Sequence, residues 1–179
     1  MKKLLLILFL SIGIFGFSQK TLEIYNYSSK VINLGIITTK PATGIYPWFG
    51  STQPSSITIN PGGSYVLQNN SNIYRFPFNS PTSSPFITTW RRSVQSTGGN
   101  GSFTSVSSNT AWTLGNGQFF NYLQFNVNNG LQGGGNIGES GFFVPSNPLV
   151  NNTYNWQADY VLDNIRSTLI FNTVVFSDL

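Results

Sequence analysis

The chain has 179 residues, 40% hydrophobic, 15% aromatic and only 8% charged, and it contains neither His nor Cys. That length suits one domain, and a composition this rich in aromatics and poor in charge argues against disorder. Without imidazole or thiol, Ser-His-Asp and Cys-His catalysis are excluded, as are disulfides and every Cys/His zinc, haem or iron–sulfur site.

Met1, Lys2 and Lys3 form a positive start, residues 4–17 an uncharged apolar run, and Gly16 and Ser18 are small residues at the −3 and −1 positions of a cut before Gln19. The run stops short of the roughly 20 residues a membrane-spanning helix needs, and it meets polar Ser18, Gln19 and Lys20. The expectation is a cleaved signal peptide at 1–18 and one mature domain at 19–179. No stable membrane span remains after cleavage, and the product is exported to the periplasm, cell surface or extracellular space. Loss of Lys2 and Lys3 leaves seven basic against five acidic residues, a net charge of +2. Arg91-Arg92 is then the one adjacent basic pair, too little phosphate neutralisation to make nucleic acid an expected partner.

The mature chain reads as short strands punctuated by Gly, Pro, Asn and Ser. Residues 21–27 and 31–38 are β-rich, with Ser28-Ser29-Lys30 between them as a hairpin loop. In the second run Ile32, Leu34 and Ile36 share a face opposite Asn33 and Gly35. Residues 56–60, Pro61-Gly62-Gly63 and 64–68 form a strand-turn-strand unit, since Pro presets φ and Gly supplies positive φ. Strands follow at 73–78 and 86–94, separated by the Pro/Ser segment 79–85. Residues 118–127 form a strong strand, with Phe119, Asn121, Leu123, Phe125 and Val127 on one face. The Gly/Asn-rich stretch 128–141 reads as a loop and 141–144 as a short strand. For 156–165 both strand alternation and four-residue helical spacing fit, and strand is favoured. Residues 168–176 are a final strand. Nine or ten short strands without a long helical pattern point to an all-β fold: a single antiparallel β-sandwich, jelly-roll-like.

The remaining catalytic candidates are thin. Of the five carboxylates, Asp159 and Asp163 on a strand would stand about 13 Å apart, too far for a glycosidase pair. The Ser-Lys neighbours lack the spacing of a Ser-x-x-Lys nucleophile. No enzyme activity is therefore expected, and no obligatory cofactor. Calcium is the one metal with a case, through Asp159, Asp163 and Asn164, though their spacing is not that of an EF-hand.

Aromatic residues beside polar ones are the more informative feature. Tyr46, Trp48 and Phe49 sit in a loop-like stretch, and Trp90 adjoins Arg91 and Arg92. Rings of this kind stack on apolar sugar faces while amides and guanidinium groups bond the hydroxyls. The same rings also fill sandwich cores, the expected place of Trp112 and Trp156. The sequence therefore points to an exported, non-enzymatic binding domain whose ligand is a glycan or an envelope protein. Tyr46, Trp48, Phe49, Trp90, Arg91 and Arg92 are the candidate contacts. The alternative is a structural or accessory subunit docking on an outer-membrane complex, and a third reading is a small outer-membrane β-barrel.

Overall fold

Apolar alternation along the chain resolves into twelve strands and one short helix in the computed structural model, which describes residues 19–53, 57–69, 75–94, 102–141, 143–166 and 169–179. The expected export segment 1–18 lies outside these residues. In chain order the elements are β1 (Gln19–Asn26), β2 (Ile32–Pro41), β3 (Trp48–Gln53), β4 (Ile57–Ile59), β5 (Ser64–Asn69), β6 (Thr89–Val94), β7 (Ser102–Ser107), α1 (Ser108–Leu114), β8 (Gln118–Val127), β9 (Gly134–Gly138), β10 (Leu149–Asn151), β11 (Trp156–Arg166) and β12 (Leu169–Ser177). Residues 156–165, which fit either periodicity, are strand.

The strands form two open sheets. One runs β10-β11-β12-β1-β5; the other runs β7-β6-β3-β2-β8-β9, with β4 also paired to β2. Neither sheet closes on itself, so the small barrel considered from the sequence is not the architecture. Nor is the pairing wholly antiparallel. β1 and β12 run parallel, from Gln19 beside Leu169 to Asn26 beside Phe176. A parallel pair needs a long crossover, and here nearly the whole described chain lies between the two strands.

The turn at residues 28–30 does not make the expected hairpin, because β1 and β2 belong to opposite sheets. The same is true of β4 and β5, joined through the turn at Pro61-Gly62-Gly63. Both connections cross between sheets, and buried Asn26 ties them together. Its Nδ2 donates to the carbonyls of Lys30 and Ile59, while its Oδ1 accepts from the Ser28 amide and hydroxyl. Gly62 takes a positive φ of 74° and donates its amide to the Asn26 carbonyl.

Two further expectations change. Residues 76–78 are not strand, yet Phe76 and Phe78 are fully buried. Five residues of the expected loop 128–141 are β9, laid antiparallel to β8. The helix α1 has no counterpart in the sequence reading, since seven residues are too few for a period to show. Ser107 caps it by accepting from the Thr110 amide, and Ala111 packs into the core.

Between the sheets Phe125 of β8 meets Phe176 of β12 at 4.8 Å and Trp156 of β11 at 5.5 Å, ring centroid to centroid. Further along, Phe49, Phe76, Phe78 and Trp90 form edge-on or tilted pairs. Such pairs add about 0.5–1.5 kcal/mol each beyond the area they bury. The result is a mostly-β, two-sheet domain with one aromatic-rich core, which leaves the outer sheet faces free for other work.

Candidate functional site

Two register shifts set the outer face of the larger sheet. On β2, Leu34 pairs with Phe125 but Ile37 pairs with Leu123, so three positions of β2 span two of β8. The next pair, Thr39 with Phe120, reverses the count. These compensating β-bulges exchange faces within each strand. Ile37 turns inward and Ile36, expected beside Leu34, is exposed at 39%. On β8, Phe120 likewise faces the core while Phe119 is only half-buried.

Beside Ile36 lies the Trp48 indole of β3, folded back over Gly50. A Cβ at Gly50 would come within 2.6 Å of Trp48 Cζ3 and 3.2 Å of Ile36 Cγ2. Only the missing side chain lets the indole rest there. One row across the sheet pairs Trp48 with Ser93 of β6 and Ser93 with Phe103 of β7. The two rings meet edge to face at 5.8 Å over buried Ser93, which is small enough to fit beneath them. In the next row Arg91 projects outward, its guanidinium 5.5 Å from the centre of the Phe103 ring. This is a cation–π arrangement.

Trp48, Ile36, Gly50 and Arg91 border a groove of about 320 Å³, completed by Gly35, Ser51, Thr52 and Gln124. Arg91 is the one ionisable residue in that lining. The Ser51 hydroxyl is committed to the backbone, accepting from the Ile37 amide, and Thr52 donates to the Thr89 carbonyl. Gln124 is exposed. The groove thus offers an aromatic wall, an amide and a guanidinium within one small space.

The sequence candidates divide by strand parity. Trp48 and Arg91 line the groove. Phe49 and Trp90, each next to one of them in sequence, point the other way and are fully buried, which corrects their expected role as surface contacts. Phe49 packs 4.9 Å from Phe78, and the Trp90 indole N–H donates to the Phe78 carbonyl. Arg92 follows the inward parity; it is half-buried, and its Nε has no hydrogen-bond partner. Tyr46 is exposed in the connection between β2 and β3 and does not line the groove. Ile36, Gln124 and Phe103 were missed. For Phe103 the signal was present in the alternating Ser-Phe-Thr-Ser-Val-Ser of β7.

Trp156 is buried as expected, and Trp112 is half-buried under the Arg75 guanidinium. A second concavity of about 230 Å³ opens between the sheets, bordered by Phe119, Phe120, Tyr160 and Leu162 and by the Lys40–Glu139 ion pair at 3.0 Å. Nearby, buried Lys20 donates to the Gln118 carbonyl, with its ammonium 3.7 Å above the Phe119 ring. Burial pushes that ammonium down to about 8. The Tyr160 hydroxyl donates to Asn172, and burial chiefly pushes its pKa up.

The calcium expectation does not fit the geometry. Asp159 and Asp163 lie four residues apart on extended β11, a separation of about 13 Å that prevents them from sharing one ion. Asp159 instead accepts from Gln157; the Asn164 side chain lies outside the described residues. Among the described residues no three Asp or Glu side chains converge as metal ligands would, and no helix is long and apolar enough to cross a membrane. A scan against known protein families finds no match, and a search of the curated proteins finds no significant one, so the functional reading rests on the groove itself.

Proposed function

We propose that this chain is an exported, non-enzymatic β-sandwich of jelly-roll type that binds a glycan at the cell surface through the Trp48 groove. The observation that carries this reading is the Trp48 indole resting over Gly50, flanked by Ile36 and Phe103 and facing a space edged by Arg91 and Gln124. Sugars present apolar C–H faces and polar rims. A site for them needs a ring to stack against and hydrogen-bonding groups around it, without a strong field. The weakly charged surface of the chain, rich in Asn, Ser and Thr, suits the same role.

A glycan array probed with the native protein and Trp48→Ala tests this. The native protein should give hits, and Trp48→Ala should weaken them by about 1–3 kcal/mol, the scale of a truncated hot spot. Its melting temperature should fall far less than that of Trp90→Ala, a core truncation costing about 3–5 kcal/mol. Equal binding by Trp48→Ala would contradict the reading. An array without hits would favour the second one, docking of an envelope protein along β7, an edge strand that carries exposed Phe103.

A further inference from the structure

The Trp48 groove does not end at β8. A second groove of about 400 Å³ adjoins it on the same outer face, and the two share Gly35 and Gln124. The second continues past Asn126 to the turn glycines Gly130 and Gly133 and to Gly134 and Gly135 of β9. Together they cross from β6 over β3, β2 and β8 to β9, four inter-strand steps or about 19 Å. One sugar ring occupies a fraction of that length.

Building on the glycan reading above, we infer that the continuous trough holds a linear, extended, uncharged polysaccharide chain rather than a sugar terminus. Three features argue for that occupant. The floor is kept low by glycine: at the junction a Cβ on Gly35 would already touch the Gln124 amide, 3.4 Å from Oε1, so a branched side chain there would fill the floor where the two grooves meet. The charge pattern suits a neutral chain. Arg91 is the one ionisable side chain in the two linings, so a polyanion would meet a single cation and a polycation no acid. Amides recur along the path, with Gln124 at the junction and Asn126 beyond it. Asn126 Oδ1 is buried with no hydrogen-bond partner, and a turn of the amide presents this acceptor to a ligand hydroxyl. A trough that crosses five neighbouring strands suits an extended chain better than one that coils.

Titration calorimetry with cello-, xylo- and manno-oligosaccharides of one to six units tests the inference, with malto-oligosaccharides as the coiling control. In at least one extended series affinity should rise about tenfold or more from dimer to tetramer and level off by the hexamer. Asn126→Ala, outside the Trp48 groove, should blunt that rise severalfold while leaving dimer affinity within about twofold. Gly35→Val, a β-branched substitution suited to a strand, should abolish the rise by filling the junction of the two grooves. Hexamers binding no tighter than dimers would overturn the inference and leave the glycan reading standing. So would equal losses for dimer and hexamer in Asn126→Ala, or a preference for the malto series. Absence of binding at every length in every series would overturn the glycan reading itself.

Discussion

Trp48 owes its position to a residue with no side chain. Because a Cβ at Gly50 would sit 2.6 Å from the indole, Gly50→Ala should push the ring off the sheet. The strand should survive, since the indole is half-buried on the outer face and can swing outward; overpacking of this kind costs about 1–3 kcal/mol. Glycan affinity should fall by about tenfold, and titration of the folded variant checks it. Unchanged affinity would mean that the indole does not form the binding wall. At this scale the sequence was half legible. Trp48-Phe49 and Trp90-Arg91 stood out as neighbouring candidate contacts, but within a strand neighbouring residues face opposite ways. Without the register, nothing in the sequence tells which member of each pair faces out. Ile36 was misread for a related reason, since a bulge one residue long reverses every later face.

Among the elements, β1, β2, β6, β8, β11 and β12 could be read from alternation, to within a few residues at their ends. Their partners could not. Pro61-Gly62-Gly63 and Ser28-Ser29-Lys30 mark turns correctly, yet each carries the chain to the opposite sheet. Turn chemistry fixes where the backbone bends, whereas burial of each strand's apolar face decides which sheet receives it. Asn26 holds the two crossings together with four hydrogen bonds from one buried side chain. Asn26→Ala would leave the carbonyls of Lys30 and Ile59 without these donors, at about 1–3 kcal/mol for each buried group stranded. Urea denaturation should show a loss on the order of 3 kcal/mol at unchanged m-value, and a loss below about 0.5 kcal/mol would show that the crossings stand without it.

Across the whole molecule, burial of ionisable groups predicts an alkaline stability profile. The folded state holds the Lys20 ammonium at about 8, against an ordinary value of 10.5. From about pH 8 to 10 the unfolded chain therefore binds more protons, and stability rises with pH. Burial pushes the Tyr65 hydroxyl up to about 12. Above about pH 10 the unfolded tyrosine loses its proton first, and stability falls. Thermal melts should show a maximum near pH 10, and Lys20→Met should flatten the rise that precedes it. A steady fall from pH 7 to 10, or a rise that persists in Lys20→Met, would contradict this assignment.

In the proposed site ligand meets Trp48 on an outer sheet face while the core tryptophans Trp90 and Trp156 stay out of reach. Nitrogen-15 NMR of the indole N–H groups, during titration with the strongest oligosaccharide from the array, tests it directly. Four tryptophans give four indole signals, each assignable by substitution. The Trp48 signal should shift progressively to saturation. Those of Trp90 and Trp156, hydrogen-bonded to the carbonyls of Phe78 and Gln132, should stay in place. A saturating titration that moves the buried signals and leaves Trp48 unshifted would place the ligand away from the Trp48 face.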